Sequence, residues 1–321
     1  MQAMQLTQLN TPLVLQTLDM PQPAAGEVVV RVATCGLNFG DTLLVKGSYQ
    51  EKPGLPCTPG MELAGEVVAV GPQVTNLAVG QRIAAYCGVG GLAEYAALDA
   101  RRCIPIPDEM PFVDAAAFLI TYGTSHLALG ALAQLRAGER LLVLGASGGV
   151  GLTAVELGKL MGATVIACAR GRDKLEIAAR QGADHLIDSD ADDIRDSVKA
   201  LGGADVLYDP IGGAQFKAAM RACNQGARLL PLGFASGEVP QIPANILLVK
   251  NMTVLGFYLG GYAKLHPTAL GQSFSALMQW YLDGKLKPHV SNVLPLGEAN
   301  AGLDLLRTRQ ATGKVVIEIH A

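Results

Sequence analysis

Charge is sparse in this chain. Only 17% of its 321 residues are Asp, Glu, Lys or Arg, and 25 basic side chains face 28 acidic ones for a net charge of -3. No basic stripe appears, so the electrostatic footprint of a nucleic-acid-binding protein is missing. Long apolar runs are absent too: none approaches the ~20 residues that span a bilayer. The N-terminal MQAMQLTQLNTPL has no basic segment followed by an apolar core, so it does not read as a secretory signal. The cysteines (Cys35, Cys57, Cys87, Cys103, Cys168, Cys223) form no CxxC pair, which points to reduced, buried, structural thiols. The histidines, His126, His185, His266, His289 and His320, lie far apart and show no metal spacing. There is no internal repeat and no low-complexity tract. A cytoplasmic enzyme fits these absences.

What is present is apolar and long. Half the residues are hydrophobic, a globular composition, and the length favours two domains of ~100–200 residues each. Residues 1–113 are β-rich. Val28–Val32 and Gly65–Val70 are β-branched runs, cut by Pro23, Gly26, Pro53, Pro56, Pro59, Gly60, Gly71 and Pro72, the texture of a compact, partly open antiparallel domain. From 114 the rhythm changes. Strands are predicted at Leu141–Leu144, Thr164–Ala169, His185–Ile187, Val206–Tyr208, Arg228–Leu232 and Thr253–Tyr258, separated by helical stretches. That alternation predicts an α/β fold with a parallel, doubly wound sheet over 114–259. Residues 260–321 hold a predicted helix near Ser273–Leu282 and the strand-like Lys314–Ile319, and are expected to return to the first domain.

The strongest local motif lies in LLVLGASGGVGLTAVELGKLMGATVIACAR, residues 141–170. Its Gly145-x-x-Gly148-x-x-Gly151 core follows a strand and opens a helix, with Ser147, Gly149 and Val150 in the same turn. Glycine permits the tight turn, lets backbone amides approach a pyrophosphate, and at Gly151 lets the helix lie close to the sheet; the helix N-terminus adds free N–H groups and a positive dipole end. Val150, Ala154, Leu157 and Met161 recur at helical spacing as the buried face. An NAD site places Asp or Glu at the end of the next strand. Here that place is Arg170, followed by Arg172 and Lys174; three cations suit a 2′-phosphate, so the expected cofactor is NADPH. Asp173 reads as a helix cap.

At this point the sequence resembles the zinc-free quinone oxidoreductase group of the medium-chain dehydrogenase/reductase family, the group that includes zeta-crystallin. The resemblance rests on GLNFGD (36–41), GSY (47–49), PGMELAGEVVAVG (59–71), AAAFLITYGTSHLAL (115–129), GASGGVG (145–151), YDPIGG (208–213), LGFASG (232–237) and ATGKVVI (311–317). It implies a Rossmann domain (114–259) inserted in a GroES-like catalytic domain built from 1–113 and 260–321, with the nicotinamide in the interdomain cleft. It also implies a homodimer formed through the cofactor domain, for which Thr253–Tyr258 is the expected edge. The Cys, His and Cys that hold catalytic zinc in related dehydrogenases fall by motif on Asn38, Met61 and about Ala116, a set unsuited to zinc. Glu62 remains, and its structural reading is a pairing with a buried cation.

Without a metal, the expected reaction is hydride transfer to a quinone or a small α,β-unsaturated carbonyl compound, whose developing charge hydrogen-bond donors can hold. Asn38 is the candidate to orient substrate or nicotinamide ribose. Tyr49 is the candidate hydrogen-bond or proton donor, against a packing role, and Asp41 is expected to fix the loop through backbone N–H groups. Resemblance places Thr121, Tyr122, Gly123 and Thr124 beside the nicotinamide, and Phe234, Ala235 and Ser236 near its carboxamide. The aspartates of 184–193 read as a solvated loop. Many relatives have Asn-Tyr where this chain has Asp188-Ser189, and that tyrosine helps hold the 2′-phosphate, so more of the burden falls on Arg170, Arg172 and Lys174. The alternatives are an enoyl-thioester reductase of the same fold and a non-enzymatic, crystallin-like NADPH-binding protein.

Overall fold

The computed structural model describes residues 1–320 and divides them into two units, Met1–Ile120 with residues 288 onward, and Thr121–Lys287. In the first unit the strand Glu27–Leu37 organises the sheet. It pairs antiparallel with Glu62–Val70, Tyr95–Asp99 and Lys314–Glu318, and the last of these carries the parallel strand Val290–Pro295. Its side chains do not keep one parity. Val28, Val30 and Val32 enter one core cluster with Leu63, Val67 and Ile83, whereas Cys35 and Leu37 enter another with Met61, Val315 and Ile317. The exchange of faces falls at the register shift between Val32 and Thr34, because one extra residue in a strand turns every later side chain over. The bulge therefore lets one strand serve two cores.

The second unit is a six-stranded parallel sheet: β1 Arg140–Leu144, β2 Thr164–Ala169, β3 His185–Asp188, β4 Ala204–Asp209, β5 Cys223–Pro231 and β6 Thr253–Val254. Their order across the sheet is β3-β2-β1-β4-β5-β6. The strands β1 and β2 are almost wholly buried, which is why they read as unbroken apolar runs instead of alternating ones. The chain winds outward in opposite directions from β1 and β4, and in such sheets the place just past the carboxyl ends of these two strands is where ligands bind.

The two units divide the chain at 120/121 and 287/288; the sequence suggests 113/114 and 259/260. The helix Phe112–Ala116 stays with the first unit because Thr34 Oγ1 donates to the Phe112 carbonyl at 2.7 Å. The helix Pro267–Leu282 stays with the second because His126 meets Ser273 at 2.8 Å and Trp280 edge-on at 5.3 Å. The edge strand is also shorter than Thr253–Tyr258. Leu255 N still donates to Leu229 O at 2.8 Å, but the next ladder donor would be Pro231, which has no N–H; pairing ends there.

Among the described residues no helix is long and apolar enough to cross a membrane. All six cysteines are free thiols, buried except for the half-buried Cys57.

Candidate active site

The residues singled out above fall into two groups, one in each unit. In the second unit, β1 delivers the chain to Gly145, and the helix Gly149–Leu160 begins four residues later. Gly145 adopts φ +59°, a left-handed conformation open to glycine. A Cβ on Gly151 would stand 2.1 Å from the Gly145 carbonyl oxygen, so the helix can start this close to the strand end only with glycine there. Gly148 differs: the nearest atom to a Cβ would be the same oxygen at 3.5 Å, leaving space on the open side of the turn. The first-turn amides of Gly149, Val150 and Gly151 have no intrahelical acceptor, and they converge with the helix dipole on a place suited to an anion. Ser147 is buried and Val150 half-buried.

Beneath the turn lies a polar network that sequence reasoning missed. Ser125 Oγ donates to Val150 O at 3.0 Å and meets Thr153 Oγ1 at 2.8 Å and Tyr208 Oη at 2.7 Å. Thr153 Oγ1 reaches Thr121 O at 3.1 Å. These side chains tie the helix Leu119–His126 to the first turn of the glycine-led helix and to β4, so the turn rests on satisfied buried polar groups. Thr121 itself is buried, contributing its carbonyl, and Thr124 is half-buried. A few residues on, Tyr122 Oη donates to Glu156 at 2.5 Å and Lys287 N to the other oxygen of that carboxylate at 2.8 Å. Burial raises the Glu156 carboxyl above its ordinary range. Past β4, Asp209 accepts from Ile211 N at 2.8 Å and Gly212 N at 2.9 Å. Burial lifts its carboxyl to about 6, a rise that these N–H donors restrain. It shapes the loop against which Phe234 and Ser236 lie: Ser236 N donates to Ile211 O at 2.9 Å, and Phe234 is 41% exposed.

Arg170 directly follows β2, half exposed, with Asp190 at 3.9 Å, beyond hydrogen-bond length. Arg172 is engaged elsewhere: its side chain is 90% exposed and pairs with Glu176 one turn on, at 3.1 Å. Lys174 is half-buried. Asp188, in the departing Asp-Ser position, accepts from Gly171 N at 3.0 Å and Asp190 N at 3.1 Å; these bonds hold its carboxyl below the usual range. The aspartates thus brace the loop behind Arg170 through backbone N–H groups.

The second group is buried in the first unit. Asp41 is fully buried and accepts from Asn38 N at 2.8 Å and Gly60 N at 3.1 Å. Burial pushes its carboxyl up to about 6 against the pull of these bonds. Glu62 pairs with Lys314 at 2.7 Å, the two side chains 1% and 6% exposed. Asn38 lies between them: its Nδ2 donates to Glu62 at 2.9 Å and to Gly36 O at 3.2 Å, while Lys314 Nζ donates to its Oδ1 at 2.9 Å. Reversing the amide would set NH2 against an ammonium, so the chemistry fixes its orientation. Both N–H groups of Asn38 are spent inward, and only its carbonyl retains acceptor capacity. Tyr49 is half-buried with the apolar cluster around Met61. The cation that Glu62 called for is Lys314; it went unnoticed because a lysine opening the run KVVIE reads as a strand end in solvent.

This arrangement has relatives. Residues 24–108 match the alcohol dehydrogenase GroES-like domain and 149–280 the zinc-binding dehydrogenase family. A quinone oxidoreductase-like protein 2 homolog of Nematostella vectensis is 40% identical over 98% of this chain and 88% of its own length. The quinone oxidoreductase of Thermus thermophilus, solved also in complex with NADPH, superposes with TM-score 0.88 at 33% identity, covering 99% of this chain and 100% of that one. The enoyl reductase CurK does so with TM-score 0.89 at 26% identity over 99% of both chains. The chain belongs to the medium-chain dehydrogenase/reductase family, among its quinone oxidoreductase-like proteins.

One family description mentions zinc. Among the described residues no three His, Cys, Asp or Glu are grouped to hold a metal ion. The carboxylate of Glu62 is paired with the Lys314 ammonium.

Proposed function

We propose that the protein is an NADPH-dependent reductase of quinones or small α,β-unsaturated carbonyl compounds that works without zinc. The observation that carries this reading is the pairing of the glycine turn after β1 with a half-exposed Arg170, instead of a carboxylate, after β2. When bound, the reduced nicotinamide supplies a hydride. The amides of Gly149, Val150 and Gly151, with Ser147 and Gly148 beside them, receive the pyrophosphate. Arg170 holds the 2′-phosphate, with Lys174 and Arg172 adding positive potential, Arg172 the least because Glu176 offsets it. Thr121, Thr124, Phe234 and Ser236 border the nicotinamide. Asn38 accepts from a ribose or substrate hydroxyl through its carbonyl oxygen, Tyr49 donates to the acceptor oxygen where charge develops, and Asp41 holds the loop that carries them. The protein acts as a homodimer joined along the β6 edge.

The enoyl-thioester reading is favoured by the CurK likeness. It calls for a basic surface for a phosphorylated carrier, and no such cluster stands in the sequence of the first unit. The test is NADPH oxidation over a panel of quinones, enones and enoyl thioesters. Turnover of quinones or enones is expected; turnover of thioesters alone would transfer the assignment to the second reading, and binding of NADPH without turnover to a non-enzymatic role.

A further inference from the structure

A buried ion pair seldom adds stability over an apolar pair of similar volume, because desolvation consumes the attraction. The Glu62–Lys314 pair therefore calls for another explanation, and its contacts supply one. The ammonium directs its three protons to Leu37 O at 2.8 Å, Asn38 Oδ1 at 2.9 Å and Glu62 Oε1 at 2.7 Å. Glu62 in turn accepts Asn38 Nδ2 at 2.9 Å through Oε1 and Ile120 N at 2.9 Å through Oε2. Among the described residues, the hydrogen bonds of the two charges beyond each other go to Leu37, Asn38 and Ile120. Ile120 lies in the first turn of the helix Leu119–His126, where an amide without an intrahelical acceptor meets a carboxylate favourably.

We infer that Glu62 and Lys314 are positioning residues: the pair fixes the Asn38 carboxamide and the Ile120 amide in one frame, setting the segment 36–41 and the start of the helix Leu119–His126 together for the hydride acceptor. The inference rests on the reductase reading above. It explains why Asn38 cannot turn its N–H groups outward, and why one carboxylate serves both segments.

The experiment replaces both charges, Glu62→Leu with Lys314→Met, which leaves no orphaned charge in the core. A merely structural pair predicts a folded double variant with parent-like activity. Positioning predicts a folded double variant whose kcat/KM for a quinone falls by about tenfold to a hundredfold. Its Kd for NADPH, measured by quenching of protein fluorescence, changes by no more than about threefold, since the glycine turn and Arg170 belong to the other unit. Amide exchange quickens in 36–41 and 119–124 alone. Retained kcat/KM with unchanged exchange would overturn the inference. Should the double variant not fold, Glu62→Gln decides: it keeps the shape but cannot accept all three donors, so the same fall is expected and parent-like kcat/KM refutes it. If the parent turns over neither quinone nor enone, the reductase reading fails separately. Exchange then judges the pair alone: quickening in both segments supports it, no change overturns it.

Discussion

Replacing Arg170 by Asp separates the two nicotinamide cofactors by a margin that the structure sets. The guanidinium is half exposed, and its ion-pair neighbour Asp190 stands 3.9 Å away, so little competes for its donors. A charge-assisted hydrogen bond contributes about 1.5–3 kcal/mol, which exposure and salt bring down to about 1–2 kcal/mol. The introduced carboxylate would face the 2′-phosphate and add about 1 kcal/mol of repulsion at ~4 Å in a water-like dielectric. Together these predict a fall in kcat/KM for NADPH of about thirtyfold to a hundredfold. NADH, which lacks the phosphate, should be unchanged or improved. The assay is kcat/KM for each nucleotide at low and high salt, with the NADPH advantage shrinking as salt rises. Asp190→Asn should act in the opposite direction, raising kcat/KM for NADPH by up to about fivefold. An equal fall for both nucleotides, or a parent that uses both equally well, would show that Arg170 is surface charge.

Two glycines of the turn should respond differently. Gly151→Ala drives a methyl into the Gly145 carbonyl oxygen, 2.1 Å away, and is expected to cost about 1–3 kcal/mol of stability in chemical denaturation. Gly148→Ala has its nearest atom at 3.5 Å; it should leave stability within about 1 kcal/mol while weakening NADPH binding at least about tenfold by titration. Asp209 titrates at about 6 in the fold against an ordinary 3.8. The folded state therefore binds its proton more tightly, and stability falls as pH rises through that window. The cost of Asp209→Asn in denaturant unfolding should shrink between those two pH values and stay level outside them; a constant cost would contradict the assignment. Tyr49→Phe should lower kcat about a hundredfold with the fold intact if the hydroxyl serves the acceptor oxygen, and unchanged kcat would return Tyr49 to packing.

Much of this was legible in the sequence for local reasons. The glycine turn, β1 and β2 are encoded within thirty residues, 141–170, where strand, turn and helix each leave their own signature. The sequence suggests a longer edge than β6, because the donor missing at Pro231 belongs to a neighbouring strand and leaves no mark in 253–258. The helix Pro267–Leu282 leaves as little local sign of its neighbours: its partners, His126 among them, lie more than a hundred residues away. Lys314 and the Ser125–Thr153–Tyr208 network were invisible because a polar residue's burial depends on who waits for it across the fold. Glu62 showed that half of such a pair can be flagged from sequence, while its partner, 252 positions along the chain, cannot.

The most direct test of the central claim is anaerobic turnover by protein first dialysed against a strong chelator, with NADPH and a quinone, following the loss of the reduced nicotinamide's absorbance together with quinol formation. The account predicts equal molar consumption of NADPH and quinone, at a rate that chelation leaves unchanged. Loss of activity on chelation with recovery on added zinc, or no oxidation of NADPH by any quinone or enone, would contradict it.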